Sequence, residues 1–258
     1  MAVIASANCA DTRLGKALKV QSPIAKGKSN GAKLVQELLA LNGVNVGIDG
    51  DYGSGTQTGL DAFCSKQGLP KVTSVDQAMM DRLAQPLLRA VEPVTPTGSL
   101  GQTIIKVARQ HVAEHPIEIG GANAGPWVRL YMKGGDGVNF LWCAGFVSYI
   151  VAAAAKAEGV PSPITSTFSC DLLGAEAKQK GKFTKKMSPS NAPPGSVFLV
   201  PSAAHPNDWI HTGIITGSTP GKDVFQTIEG NTNSGGSHNG FEACARIRAC
   251  AKVDVVLM

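Results

Sequence analysis

The sequence predicts an α+β fold, with helices first and then an antiparallel sheet that receives one buried helix. Between Ser29 and Leu83, apolar residues recur at helical spacing. From Gly195 onward the pattern becomes short strand-like runs broken by Gly, Pro and Asn. Between these regions lies Asn139-Phe-Leu-Trp-Cys-Ala-Gly-Phe-Val-Ser-Tyr-Ile-Val-Ala-Ala-Ala-Ala155. From Phe140 to Ala155 only Ser148 and Tyr149 carry a hydroxyl and no side chain is charged. A helix apolar on nearly every face is a buried one, and helices followed by strands give the segregated α+β class.

A chain of 258 residues with 43% hydrophobic residues is long enough for one or two domains with real cores. Thirty Gly and fifteen Pro indicate many turns and long loops. The net charge of +5 and the pI near 8.9 suit an anionic partner. Nucleic acid is not called for, because no long Lys/Arg run is interleaved with aromatics; Lys178 to Lys186 reads as a solvated surface segment. The N-terminal stretch Met1–Asp11 lacks a basic region, and its apolar run is too short for an export signal. No segment reaches the ~20 apolar residues of a membrane span. The expectation is a protein made in the cytoplasm without a cleavable signal and without membrane insertion.

Six cysteines are present (Cys9, Cys64, Cys143, Cys170, Cys244, Cys250), and no two form Cys-x-x-Cys. That spacing argues against a structural zinc site. Disulfides remain open, with Cys244 to Cys250 or Cys170 among the candidates.

Residues 1–28 show no clear period and read as an N-terminal extension. Residues 29–85 read as a small helical domain. Its three apolar faces are Val35/Leu38/Leu39, Leu60/Phe63/Cys64 and Met79/Met80/Leu83. Ser54-Gly-Thr-Gln57 and Ser74-Val-Asp-Gln77 have the Ser-x-x-Gln form of capping boxes, and Val44–Gly53 has the Gly, Asn and Asp of tight turns. Residues 86–99, with three prolines and no period, read as a linker.

Residues 100–258 form the second domain. Leu100–Glu114 is a predicted helix stopped by Pro116. It contains His111-Val-Ala-Glu-His115, the His-x-x-Glu-His pattern of inverted zinc peptidases. Two His at i, i+4 share a helix face, but the motif abuts the helix end and no downstream acidic ligand can be named. A polar helix end is the preferred reading. After Gly120–Pro126 and a short amphipathic piece at Trp127–Met132 comes the apolar helix, with Asn139 as its expected N-cap and Cys143 in its first turn. There the helix dipole and unpaired N–H groups favour a thiolate. Residues 160–195 are irregular, with a short helix around Cys170–Lys180. Strands follow at Ser196–Val200, Trp209–Thr216, Asp223–Glu229, Ala245–Arg248 and Val253–Leu257.

A cysteine hydrolase needs a thiolate, an imidazole that accepts and returns a proton, and a group that orients the imidazole. His211 begins a strand and is followed by the small residues Thr212 and Gly213. Glu229 and Asn231 flank Gly230 at the end of the next strand. If the two strands pair as a hairpin, the start of one lies beside the end of the other, and His211 comes close to Glu229 and Asn231. His205 precedes a proline and His238 lies in a Gly/Asn-rich loop, so both compete poorly.

Two resemblances follow from these residues. Leu38–Leu69, with Asn42-Gly43, Asp49-Gly-Asp-Tyr-Gly53, Thr56 and Phe63 to Leu69, is similar to the three-helix peptidoglycan-binding domain. It departs from that family at Cys64, where Gln is usual, and at Gly59, where Ala is usual. From about Leu100 to the C-terminus the chain resembles the CHAP family of cysteine, histidine-dependent amidases and peptidases, which have a papain-like fold. The motifs are Trp142-Cys-Ala-Gly-Phe-Val147, Pro194-Gly-Ser196 (Asp is usual at the last position), His211-Thr-Gly-Ile-Ile-Thr216 and Thr227-Ile-Glu-Gly-Asn-Thr-Asn233. Asn123-Ala-Gly-Pro126 with Tyr131 fits the approach to the nucleophile.

The resemblance implies Cys143 as nucleophile and His211 as base and then acid. It also implies Glu229 and Asn231 as the residues that hold the imidazole, and the Cys143 backbone N–H as an oxyanion donor. Trp142, Trp127 and Trp209 are the candidates for lining a glycan or peptide cleft. No cofactor and no metal are implied. The expected function is cleavage of an amide bond in bacterial peptidoglycan, by an amidase or endopeptidase acting in the periplasm or wall. A phage endolysin and an antibacterial effector of a type VI secretion machine both fit; an immunity protein or delivery machinery would be a further partner. The rival readings are a non-catalytic wall-binding protein and a zinc peptidase using His111 and His115.

Overall fold

The structure is a computed structural model and describes residues 2–258. Helix α1 (Thr12–Ala17) is capped by Asp11, whose carboxylate accepts from the Arg13 and Leu14 N–H groups. Strand β1 (Gly27–Lys28) pairs antiparallel with β2 (Asp51–Tyr52). Helices α2 (Asn30–Leu41), α3 (Ser54–Lys66) and α4 (Gln77–Leu83) carry the three predicted apolar faces. Val35, Leu38, Leu39, Leu60, Phe63, Met80 and Leu83 are buried along them. The turn between α2 and α3 is built around Gln36. Its amide donates to Asp49 Oδ1 and Thr56 Oγ1 and accepts from the Asp49 and Gly50 N–H groups.

Several local expectations are corrected. Residues 2–28 pack on this module: Leu14 and Leu18 are buried, and Ser6 Oγ donates to Asp81 at 2.6 Å. Neither capping box forms. Helix α3 is preceded by Gly53, so Ser54 is already helical, and α4 is capped by Asp76 rather than Ser74. Gln57 and Gln77 instead tie neighbouring segments together, Gln57 through the Val72 carbonyl and Gln77 through the Leu18 carbonyl. The expected linker begins with a helix, α5 (Gln85–Ala90), because Leu87, Leu88 and Ala90 have an apolar face to bury.

Helix α6 (Leu100–Ala113) and the short α7 (Pro126–Tyr131) precede α8 (Cys143–Glu158), and α9 (Cys170–Gln179) follows. The six-stranded sheet comprises β3 (Phe183–Lys185), β4 (Val197–Pro201), β5 (Trp209–Ser218), β6 (Val224–Thr232), β7 (Glu242–Ala249) and β8 (Asp254–Val256). Its order is β3-β8-β4-β5-β6-β7, antiparallel throughout. The α+β class is as predicted. Strand β3 lacks a readable signal because its residues, Phe-Thr-Lys, are few and only partly buried.

Helix α8 lies against one face of β5 and β6, and its side chains Phe146, Val147, Ile150, Val151 and Ala154 are fully buried. The opposite face of the sheet is closed by Phe198, Ile215, Phe225 and Val255 under Ala192, Cys250 and Val253. The larger core is continuous from Leu14 and Leu38 through Trp127 and Phe146 to Val256. No helix among the described residues is long and apolar enough to cross a membrane.

Candidate active site

Cys143 is the first residue of α8, and the preceding cap position is Trp142, not Asn139. The segment before it turns outward, leaving Phe140 and Leu141 partly exposed, so the helix begins a few residues later than expected. Cys143 still occupies the first turn, where helix dipole and free N–H groups act on its sulfur. Two close approaches fix that helix end. A Cβ on Gly145 would lie 2.4 Å from Met132 Sδ and 2.9 Å from the Tyr131 carbonyl oxygen. A Cβ on Gly230 would lie 2.7 Å from Phe146 Cβ and 2.9 Å from Trp142 Cζ3. The corner between β6 and its following loop therefore abuts the start of α8 directly.

That corner brings the predicted groups together. His211 Nε2 and Glu229 Oε2 are 3.0 Å apart, both side chains fully buried. Asn231 does not bond the imidazole. With its amide matched to its neighbours, its oxygen accepts from the Trp142 N–H at 3.2 Å. Its nitrogen donates to the Gly240 carbonyl at 2.7 Å and to Asn239 Oδ1 at 3.2 Å. Asn231 thus ties the sheet corner to the residue before the nucleophile, in a left-handed conformation (φ 53°) that Asn tolerates. His211 Nδ1 is buried without a hydrogen-bond partner in the protein.

The electrostatics favour an ion pair. Cys143 is held well below the ordinary thiol range, first by a hydrogen bond from the Cys170 thiol and then by His211. His211 is raised: burial disfavours its charge, but Cys143 and Glu229 outweigh it. Glu229 is lowered to about 2 despite its burial, by Arg248 and then His211. Arg248 grips Glu229 with both nitrogens, Nε to Oε1 at 2.8 Å and Nη2 to Oε2 at 2.5 Å. Thr227 Oγ1 donates to Oε1 at 2.7 Å. His238 stacks on the His211 ring, centroids 5.5 Å apart, and is lowered by burial and by the charge on His211. A thiolate beside an imidazolium whose far nitrogen is fixed by a buried carboxylate can attack a carbonyl and protonate a leaving amine.

Sequence reasoning assigns neither Arg248 nor Cys170 to the site, and it sets His238 aside. Only Arg248 has a readable signal. A carboxylate in an otherwise apolar strand calls for a cation, and the strand Ala245–Arg248 offers Arg246 and Arg248.

The three tryptophans do not line a cleft. Trp127 and Trp142 are fully buried, with Trp142 stacked on Tyr131 at 5.6 Å and donating to Glu118 Oε1 at 2.9 Å. Trp209 is buried between Phe183 and Lys178 and donates to Asp254 Oδ2 at 3.0 Å. The zinc reading fails on geometry. His111 Nδ1 pairs with Tyr131 Oη at 3.0 Å, Glu114 forms a two-pronged ion pair with Arg89, and His115 lies past the helix end at φ 51°. Among the described residues no group of three His, Cys, Asp or Glu converges. All six cysteines are free, so neither candidate Cys244 pairing is formed. A cavity of about 560 Å³ beside Asp11, His111, Tyr149 and Lys156 reaches neither Cys143 nor His211.

The chain matches no protein-family profile and no curated protein. Among solved structures it is similar to a crystal structure described as Ly7917 with the hydrolyzing product of MDP. The match has 16% identity and a TM-score of 0.27, and covers 45% of this chain and 53% of that one. The chain thus spans about half the length of the structure it matches. A likeness of that size carries no argument about fold or activity.

Proposed function

We propose that the protein is a cysteine-dependent hydrolase of the CHAP type that cleaves an amide bond of bacterial peptidoglycan. We propose further that residues 29–85 serve as its wall-binding module. The observation that carries the reading is Cys143 at the first turn of a buried helix, near enough to His211 for each to favour the other's charge, with His211 bonded to Glu229 at 3.0 Å. The substrate class rests on the CHAP-like and peptidoglycan-binding-like motifs taken together. A binding module beside a hydrolase raises the local concentration of enzyme at an insoluble polymer.

In the proposed reaction the Cys143 thiolate attacks the amide carbonyl carbon and the C=O electrons move onto oxygen. The Cys143 backbone N–H, an unpaired donor of the helix start, stabilises that oxyanion. His211 gives its Nδ1 proton to the leaving nitrogen, the C–N bond breaks, and a thioester remains. Water then attacks the thioester with His211 as base, releasing the carboxylic acid and restoring the thiolate. Glu229 keeps the Nε2 proton in place throughout, so that Nδ1 is the nitrogen that exchanges.

The test is digestion of purified sacculi followed by mass spectrometry of the fragments. The unaltered protein is expected to solubilise wall and leave either free stems or cut cross-links, which tells an amidase from an endopeptidase. Cys143→Ala is expected to abolish release while still sedimenting with the wall. Lysis that survives this change would remove the thiol mechanism, and binding without lysis by the unaltered protein would favour a wall-binding protein.

A further inference from the structure

Cys170 makes and breaks no bond in the reaction just described beyond its hydrogen bond to the thiolate, and its sulfur lies 3.8 Å from the Cys143 sulfur. Both thiols are buried, and both are the first residues of their helices, α8 and α9. Both sulfurs therefore sit at helix N-termini, where the partial positive charge favours a thiolate.

The position of Cys170 is set from three sides. Ser169 caps α9 by accepting from the Leu172 N–H. The preceding loop is fastened to α8, with Ser148 Oγ donating to the Thr167 carbonyl at 2.9 Å and accepting from the Thr167 N–H at 3.1 Å. The start of α9 is fastened to β5 by the Trp209 N–H on Asp171 Oδ1 at 2.6 Å, and Gly174 lets the Trp209 ring lie directly on the helix. A contact held this firmly gives each sulfur a high effective concentration for the other. The sulfurs have to close from 3.8 Å to the roughly 2.0 Å of a disulfide.

We propose that Cys143 and Cys170 are a disulfide-forming pair, in which Cys170 is the resolving thiol for the nucleophile. The inference rests on Cys143 being the reactive thiolate. The co-oxidant is a small disulfide of the glutathione class. The Cys143 thiolate attacks one sulfur of that molecule; an S–S bond forms on Cys143 and one thiol equivalent leaves as its thiolate. Cys170 then loses its proton to that thiolate and attacks Cys143 Sγ, and the second thiol equivalent departs. The two protein thiols are oxidised by two electrons, and the small disulfide is reduced to two thiols. The enzyme is then stored without its nucleophile and returns to activity when a thiol reductant reverses both steps. The pair also intercepts Cys143 before it climbs to irreversible oxidation states.

The experiment exposes the full chain to oxidised glutathione, followed by alkylation, intact-protein mass measurement and peptide mapping, with wall digestion assayed in parallel. The expected product has lost two hydrogens, carries no glutathione and yields a linked peptide containing Cys143 and Cys170. Its activity is expected to fall at least ten-fold and to recover with dithiothreitol. Cys170→Ser and Cys170→Ala are expected to stop at the stable glutathione adduct on Cys143. A stable adduct on Cys143 of the unaltered protein, or two alkylatable thiols after full oxidation, would overturn the pairing. If the linked peptide forms but the reduced protein digests no wall, the pairing stands and the proposed substrate falls. The mapping is done on the unaltered chain, so a variant that folds poorly does not change the outcome.

Discussion

Glu229 serves two cations at once, Arg248 through both oxygens and His211 through one. Its value near 2 makes it an anion across the working range. The sign of its linkage follows. Ionised Glu229 stabilises the fold above the usual carboxylate range, and that contribution is lost as pH falls through about 2. In the proposed reaction the working species is thiolate plus imidazolium. The rate is expected to rise with pH well below the ordinary thiol range and to fall above the ordinary imidazole value. Glu229→Gln removes the anion that raises His211 and leaves the partly buried Arg248 uncompensated, so both effects lower the imidazole. The falling limb of kcat/KM against pH is expected to move to lower pH by about one unit or more. An unmoved limb would show that Glu229 does not face the working imidazole. Arg248→Met leaves the same carboxylate without its stronger partner, and a loss of about 3 kcal/mol in denaturant unfolding is expected. At this scale the pairing of His211 with Glu229 and the place of Cys143 in the first turn of its helix were legible, because each lies at an element end that the strand and helix patterns mark. Asn231 was only half legible: its neighbourhood could be read from the strand pairing, but its partner, the Trp142 N–H, depends on where α8 begins.

The site depends on two elements coming closer than side chains ordinarily allow. Gly230 admits Phe146 and Trp142, and Gly213 leaves room for Glu229, since a Cβ there would lie 2.8 Å from Glu229 Cγ. Gly230→Ala has to push the start of α8 off the sheet, because the two nearest atoms it meets, Phe146 Cβ and Cγ, lie near the backbone rather than at a flexible end. A loss of roughly 1–3 kcal/mol is expected, with kcat falling more than KM rises. The rate of Cys143 alkylation should report the same displacement. A variant with wild-type stability and alkylation would mean that the corner is loosely packed. The strands themselves were legible from alternating runs and turn residues, with β4 to β8 all within a few residues of expectation. The caps were not. Ser54, Ser74 and Asn139 all have capping chemistry, yet Gly53, Asp76 and Trp142 occupy the cap positions.

On the scale of the molecule, the N-terminal module and the sheet domain share one continuous apolar core. They are also joined by charge. Arg129 of α7 reaches across to Glu37 of α2 and holds Asp136 at 2.5 Å with its other arm. Glu37 is almost wholly buried, and its remaining cation, Lys33, stands 3.9 Å away. Sequence composition marked a semi-rigid linker at 86–99 between two domains; Leu87 and Leu88, buried on α5, contribute instead to a shared core. Helical periodicity reports an apolar face but not which neighbour covers it, so this joint could not be read from the chain alone. The consequence is a single cooperative unfolding transition by calorimetry, with calorimetric and van't Hoff enthalpies equal. Arg129→Met leaves Glu37 poorly compensated at the joint, and a loss of about 2 kcal/mol is expected after allowing for Lys33 and the partial exposure of Arg129. For a chain of this size that lowers Tm by roughly 4–8 °C, and the single peak is expected to broaden or split as the joint weakens. Two resolved transitions in the unaltered protein would instead make the module and the sheet domain independent bodies, with wall binding and catalysis free to vary separately.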